Sequence, residues 1–235
     1  MPIFAALDVY TDFVPRTAAM NMAIDEALLE FAARASIRFY RWDHPALSFG
    51  YFGKYVAVAE HAPQRDLVRR WTGGGIVFHG DDLTYSIMIP AAAEVFAASS
   101  RSIYAAVHDS LRNALAANGQ QAQLAEGRDA ALRRSRTAPK AFGAVPTNAC
   151  FTYPVPADVM LNGRKVAGAA QRRIRHGLLQ QGSIQQVELA EDFQKRFADK
   201  LSKECVTQNL SDAILGRAWE IAARKYGTEA WLRKR

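Results

Sequence analysis

An α+β fold, a mixed and mainly antiparallel sheet covered by helices, follows from three observations in the 235-residue sequence. Several segments carry apolar residues at steps of three and four, the repeat of a helix with one buried stripe. Others are short runs of β-branched and aromatic residues bounded by turn signals, as strands are. The two kinds follow one another without regular βα alternation, which separates α+β from doubly wound α/β folds.

Met20, Ile24, Leu28 and Phe31 predict a helix that begins near Thr17 and packs on the sheet. Ile37 to Trp42 and Leu47 to Tyr51, separated by Asp43-His44-Pro45, read as a strand pair. Val68 to Thr72, Ile76 to His79 and Leu83 to Ile89 continue that sheet around a glycine-rich loop. Ile103, Val107, Leu111 and Leu115 give a second helix, stopped by Asn118-Gly119. From Gln120 to about residue 148 the chain is rich in Ala, Arg, Gln and Pro without sustained period, and reads as a long mobile loop and a candidate lid. Asn162-Gly163, the dipeptide best suited to a type I′ turn, joins Val159-Met160-Leu161 to Arg164-Lys165-Val166 in a hairpin. Leu189, Phe193, Phe197 and Leu201, and then Ile214, Ala218 and Ile221 after Ser211, predict two closing helices.

With 49% hydrophobic residues the chain buries a sizeable core, and no composition break divides it, so residues 1–235 are expected to form a single domain. No apolar run approaches the ~20 residues of a membrane span and no signal-peptide pattern opens the chain, so a cytoplasmic location and no membrane partner are expected. The formal net charge of +7 attracts acidic partners at long range. Neither finger spacing nor an RNP-type aromatic pattern accompanies it, which argues against nucleic acid. Two cysteines, Cys150 and Cys205, are too few for a disulfide framework and too far apart for a metal site.

The chemistry centres on Arg69-Arg70-Trp71-Thr72-Gly73-Gly74-Gly75-Ile76-Val77-Phe78-His79-Gly80. Gly73, Gly74 and Gly75 let the backbone press against a ligand and offer N–H groups to a carboxylate, phosphate or thioester oxygen. Arg69 and Arg70 read as alternating strand residues, one solvated and one buried, with Arg70 the candidate for ligand contact. A second motif, Asn162-Gly163-Arg164-Lys165-Val166-Ala167-Gly168-Ala169-Ala170-Gln171-Arg172, lies downstream. Taken alone, Lys165 is an ordinary solvated lysine after a turn.

Together these motifs resemble the lipoate-protein ligase and octanoyltransferase family. The resemblance extends to Asn21-Met22-Ala23-Ile24-Asp25-Glu26-Ala27-Leu28, Leu83-Thr84-Tyr85-Ser86, Gln181-Gly182-Ser183-Ile184 and Lys225-Tyr226-Gly227-Thr228-Glu229-Ala230-Trp231. It covers nearly the whole chain except the stretch from Gln120 to Asn148, and implies the biotin/lipoate protein ligase-like catalytic domain. On the family pattern Lys165 is an active-site residue, with Gly168 and Ala169 beside it and His79 either lining the acyl or carrier site or serving structure.

Cys150-Phe151-Thr152-Tyr153-Pro154 ahead of the lysine hairpin is similar to the octanoyltransferases that place a nucleophilic cysteine there. A thiol suits exchange with an acyl-carrier thioester, giving an enzyme thioester that a lysine amine attacks. The implied reaction is therefore octanoyl (or lipoyl) transfer from acyl carrier protein to a lysine of a lipoyl domain of 2-oxoacid dehydrogenases or of glycine-cleavage H protein. Cys150 and Lys165 would be catalytic, and the octanoyl-phosphopantetheine of the carrier would be the donor, with no further cofactor and no metal. Gly73-Gly74-Gly75 departs from the transferase loop, whose third position is commonly arginine, and is closer to that of the ligases. The alternative is accordingly an ATP- and Mg-dependent lipoate-protein ligase working through lipoyl-AMP. Gly80-Asp81-Asp82 after His79 matches the transferases, and the Gly-Arg-Gly-Arg type loop of biotin ligases is missing. Cys205 and His176 read as structural; Gln171, Arg172 and Arg173 face either the phosphopantetheine or solvent.

Overall fold

The computed structural model describes residues 2–126 and 154–234. Among the described residues, eleven strands fall into two sheets. The large one has the order β11-β1-β2-β6-β10-β9-β8-β7, built from β1 (Leu7–Thr11), β2 (Ser36–Tyr40), β6 (Leu83–Pro90), β7 (Gln123–Leu124), β8 (Val159–Leu161), β9 (Arg164–Ile174), β10 (Gly177–Ile184) and β11 (Cys205–Gln208). Within this sheet only β1 with β11 and β1 with β2 run parallel. The small sheet, β4-β3-β5, contains β3 (Ala46–Phe49), β4 (Asp66–Arg69) and β5 (Ile76–His79). There β3 with β4 runs parallel too.

The α+β class holds, but the strand arrangement corrects the sequence reading twice. β2 does not pair with β3, because both its edges are taken, by β1 on one side and β6 on the other. The segment Asp43-His44-Pro45 carries the chain between sheets instead of turning it back. Nor do β4 and β5 extend the large sheet: both add to the edges of β3, and only β6 joins the large sheet.

Helix α1 (Ala18–Phe31) starts where expected, with Thr17 Oγ1 accepting the Met20 N–H. The second helix, α2 (Ser100–Ala117), is capped by Ser99 and buries Ile103, Val107, Leu111 and Leu115 as one stripe. Near the C-terminus, α3 (Phe193–Leu201) and α4 (Asp212–Ile221) are followed by a π-helical segment, Ala222–Tyr226, and by α5 (Glu229–Leu232). The long-loop reading needs one change, since Gln123 and Leu124 form β7 against β8. From residue 127 onward that stretch, and Cys150, lie outside the described residues. No helix among the described residues is long and apolar enough to cross a membrane.

β6 and β10 are buried along their whole length because helices cover both faces of the sheet. Leu83, Tyr85, Ile87 and Ile89 of β6 and Leu178 and Ile184 of β10 pack with the α2 and α3 side chains. Met88 and Leu179 pack with α1 and α4. Since strand side chains alternate between faces, that second face also receives Thr84, Ser86, Gln181 and Ser183. These are direct cross-strand partners, Ser86 with Gln181 and Thr84 with Ser183. A polar quartet is thus placed inside the protein, where each member needs a hydrogen-bonding partner.

Candidate active site

Three of the quartet, Thr84, Gln181 and Ser183, line a pocket with an empty volume of about 460 Å³ including its mouth. Met22 of α1, Trp42, Ser48 of β3, Arg70 and Val77 line it from one side, and Lys165, Gly168, Ala169 and Ala170 of β9 from the other. It brings together Arg70, His79, Lys165, Gly168 and Ala169 from the sequence reading. Gly73, Gly74 and Gly75 are not among the lining residues; their loop connects to the pocket through Arg70, whose Nη2 donates to the carbonyls of Gly73 and Gly75, 2.9 Å each. Gly74 sits at φ +84°, where a side chain would be strained.

Lys165 is not the solvated hairpin lysine that its sequence position suggests. Asn162 and Gly163 have φ of +50° and +75°, the signs of the expected type I′ turn. A register shift opposite Val159 and Met160 then leaves Val166 as an extra residue and bends β9 against β8. Lys165 is only 8% exposed, and its Nζ lies 2.8 Å from Asp158 Oδ2, on a carboxylate that is fully buried. Its side chain lies across Gly168, where a Cβ would collide with the lysine Cε and Nζ. The spacing Lys165-Val166-Ala167-Gly168 therefore has a steric cause.

The Asp158 carboxylate is held by two more donors. Tyr104 of α2 donates its hydroxyl at 2.5 Å, and the Val155 N–H donates at 2.7 Å. The same Tyr104 oxygen accepts the Ala169 N–H at 3.2 Å, tying the carboxylate to the pocket wall. Burial and Asp158 push the Tyr104 phenol far above its ordinary range, so it remains a donor. One turn along α2, His108 accepts from the Tyr85 hydroxyl at Nε2 (3.0 Å) and donates from Nδ1 to the Ala157 carbonyl (2.7 Å). Burial lowers its pKa to about 4, helped by nearby Lys165 and opposed by the Ala157 carbonyl and Asp158, so it is neutral at pH 7.

On the opposite wall a chain of donors runs from Arg70 to Asp82. Arg70 Nη1 donates to Ser48 Oγ (2.7 Å), which lies 2.6 Å from His79 Nε2; His79 Nδ1 lies 2.8 Å from Asp82 Oδ2. With Asp82 ionised, the proton sits on Nδ1 and Ser48 donates to Nε2. Burial lowers the His79 pKa despite Asp82, and the Trp42 ring stacks on the imidazole at 4.0 Å. For Asp82, burial alone would raise the pKa, but His79, the Ser183 hydroxyl and the Gly80 N–H outweigh it and hold the carboxyl low. The hydroxyls of Thr84 and Ser183 also donate to Asp82, at 2.9 and 2.7 Å. This ordering recruits His79 and Arg70 into the pocket wall and fixes the glycine loop to it.

Beneath the pocket, Gln181 accepts from the Thr72 hydroxyl at 2.8 Å and donates to Asp25 Oδ2 at 2.8 Å. Asp25 also receives Ser86 and Tyr40 hydroxyls and pairs with the buried Arg38 at 2.9 Å. The Asn21 to Leu28 motif thus supplies a scaffold anion, and the Gln181-Gly182 motif an amide bridging it to the glycine loop. At Gly182 a Cβ would fall on the Tyr85 ring.

Arg69 corrects the expectation that one arginine of the pair is solvated: both are buried. Its guanidinium donates to five carbonyls, those of Tyr51, Gly53, Trp231, Leu232 and Lys234. Trp231 Nε1 donates back to the Arg69 carbonyl at 2.9 Å. The C-terminal Lys225 to Trp231 motif is thereby latched to the strand that leads into the glycine loop. Cys205 is half-buried on β11, with burial raising its thiol pKa, and His176 is exposed on the β9–β10 turn.

Asp158, Tyr104, Ser48 and Gln181 were given no role by the sequence. Tyr104 and His108, four apart beside the apolar stripe of α2, carried a signal: two polar aromatics on a buried helix shoulder. Asp158 carried none, because its partner is fixed only by the bulge.

Residues 17–208 match the model of the lipoyl protein ligase A/B catalytic domain. The chain belongs to that family. A protein named octanoyltransferase LipM from Oceanobacillus iheyensis is 37% identical over 183 residues, 74% of this chain and 62% of that protein. Its namesake from Brevibacillus brevis is 28% identical over 264 residues, covering 91% of this chain and 94% of that protein. For the Staphylococcus aureus protein of the same name the values are 32% over 182 residues, 74% and 64%. The chain thus spans less than two thirds of the length of two of these three relatives. In fold it is similar to Ta0514 of T. acidophilum, a lipoate protein ligase-type structure with bound lipoic acid. Their TM-score is 0.68 at 20% identity, over 99% of this chain and 100% of the other. Lipoate-protein ligase A bound with ATP gives a TM-score of 0.68 at 19% identity, over 99% of each chain.

Proposed function

We propose that this protein transfers an octanoyl group, through a thioester on Cys150, from a carrier-protein thioester to the side-chain amine of a lysine on a lipoyl-domain or glycine-cleavage H acceptor. The observation that carries this reading is the pocket with Lys165 buried in its wall, in a chain similar to octanoyltransferases. The apolar side chains of Met22, Trp42 and Val77 suit an acyl chain, and Lys165 offers an ammonium to the carbonyl end.

In the first half-reaction the Cys150 thiolate attacks the carrier thioester, and the carrier leaves as a thiolate that takes up a proton. In the second the neutral acceptor amine attacks the enzyme thioester, Cys150 leaves as thiolate and the amine loses its extra proton. Both steps place negative charge on the acyl oxygen, which a preorganised ammonium stabilises in a water-poor pocket by a few kcal/mol. Asp158 and Tyr104 position that ammonium. Neither ATP nor a metal is required, and the energy comes from the carrier thioester.

The Gly73-Gly74-Gly75 loop favours one other reading, ATP-dependent lipoate ligation through lipoyl-AMP. Intact-mass spectrometry separates the two. Octanoyl carrier protein alone should add one octanoyl mass to the wild type and to Cys205→Ala, but none to Cys150→Ala. A requirement for ATP and free acid would establish the ligase instead.

A further inference from the structure

Beyond Ala170 the outer residues of β9 have different partners. Gln171 donates to Gln180 at 2.7 Å, and Arg173 donates to the carbonyls of Phe96 and Ala98 while its guanidinium covers the Phe96 ring. The side chain of Arg172, between them, makes no hydrogen bond or ion pair with any described residue. Its guanidinium instead lies over the rings of Tyr51 and Trp71, 5.0 and 5.3 Å from their centroids. Lys225 Nζ is 4.4 Å from the Trp71 centroid and 4.6 Å from that of Trp231, and Lys234 Nζ is 5.0 Å from those of Tyr51 and Trp231.

With the Tyr226 ring, 4.8 Å from Lys225 Nζ, three cations therefore share four aromatic rings. Glu26, 2.6 Å from Lys225, is the carboxylate paired with this group among the described residues. The excess of positive charge is real enough to act on the group itself: burial lowers the Lys225 pKa, and Arg172 and Lys234 lower it further against the pull of Glu26. A ring face holds a cation in place without consuming its N–H donors, of which one on Lys225 goes to Glu26 at 2.6 Å. Such an arrangement is preorganised for an anion with several acceptor oxygens.

Its place relative to the pocket defines the anion. Trp71 follows the pocket-lining Arg70, and Arg172 lies two residues beyond the pocket-lining Ala170. From Gly168, against which Lys165 rests, to Arg172 is roughly 13 Å at the ordinary strand rise. A phosphopantetheine arm joins a phosphate to a thiol through two amides, an extended linkage of this order, and its dimethyl group suits a rim of aromatic rings.

We propose that Arg172, Lys225 and Lys234 form a phosphate cradle at the rim of the acyl pocket, which takes the phosphodiester of the donor's phosphopantetheine arm while the thioester reaches Lys165. The cradle rests on the reading of the chain as a carrier-dependent octanoyltransferase. Arg172 is its centre, because its side-chain donors have no hydrogen-bond partner among the described residues; Lys234 adds charge from the C-terminal segment that Arg69 latches down.

The test compares two small donors on the full-length protein, octanoyl-phosphopantetheine and octanoyl-pantetheine, which differ only in the phosphate. The wild type should acylate itself with a kcat/KM at least ~10-fold higher for the phosphorylated donor, the discrimination expected of one charge-assisted contact. Arg172→Gln and Lys234→Ala should raise KM for that donor while changing kcat little, moving the ratio of the two donors toward one; Arg172→Lys should restore part of it. Self-acylation from both donors with a ratio that the variants do not change would overturn the cradle and leave the transferase reading intact. No self-acylation from either donor or from octanoyl carrier protein would remove the transferase reading and the cradle with it. A variant set that loses affinity for ATP in calorimetry, with donor KM unchanged, would also overturn the proposal and assign the cations to a nucleotide.

Discussion

The Lys165 side chain fills the space that a side chain at Gly168 would need, with its Nζ 2.8 Å from the fully buried Asp158 carboxylate. A glycine three residues after a lysine on one strand is thus a packing requirement of the ammonium, and the two positions are expected to respond to mutation as a unit.

Gly168→Ala should damage acyl transfer more than stability. The new methyl meets the far end of the lysine, which can shift only by loosening its ion pair with Asp158, so the ammonium leaves the position from which it faces the acyl oxygen and part of the pair's stabilisation goes with it. Transfer should fall at least ~10-fold, and by ~10² if Lys165 supplies ~3 kcal/mol. Thermal melts alongside single-turnover acylation check this; a stable variant with normal turnover would count against the assigned position of Lys165.

Removing one partner of the Lys165–Asp158 pair should destabilise the fold, contrary to what an exposed hairpin lysine implies. Lys165→Ala strands a buried carboxylate and Asp158→Asn strands a buried ammonium, each costing on the order of 3 kcal/mol. Lys165→Met combined with Asp158→Leu should recover much of the loss without recovering activity. Denaturant midpoints for the two single variants and the double variant test the coupling.

Gly182→Ala should be the harsher glycine substitution. Its Cβ would fall on the Tyr85 ring, which is fixed by His108 at its hydroxyl and by Phe197 packed edge-on at 5.3 Å. No flexible chain end is there to yield, so a loss of about 1–3 kcal/mol is expected from overpacking. Adding Tyr85→Leu should relieve part of it in urea titrations.

His108 predicts a pH dependence of stability. Its pKa falls from 6.5 in the unfolded chain to about 4 in the folded protein. Between those values the unfolded state binds the extra proton, so stability rises with pH across this window. It should be full above about 6.5 and be lost progressively as pH falls toward 4, by an amount on the order of 3 kcal/mol. His79, also lowered by burial, acts in the same direction. The test is the urea midpoint at several pH values: His108→Gln should flatten the slope, and an unchanged slope would exclude His108 as a major source.

Much of the pocket was legible because its glycines and charged residues cluster in short motifs. Arg70, His79, Lys165, Gly168 and Ala169 were all read as site residues and all line the pocket. The glycine loop was read as a ligand surface, whereas its carbonyls at Gly73 and Gly75 hold Arg70. Arg69 was ambiguous for a related reason: its five acceptors come from two segments, one of them more than 160 residues away. Cys150 lies outside the described residues, so its role rests on the sequence resemblance.

By itself the sequence determined the features whose causes are local. Helical stripes, Ser and Thr caps, and the Asn162-Gly163 turn depend on residues within a few positions of one another, where steric preference and periodicity suffice. The tertiary structure alone decided which sheet each strand joins, because that depends on which edges distant strands leave vacant. It also decided that Lys165 is buried rather than solvated, because Asp158, ahead of β8, lies against its ammonium beside a bulge in β9, and α2 adds Tyr104. A buried charge is tolerated only where several remote groups converge on it, and that convergence belongs to the folded chain.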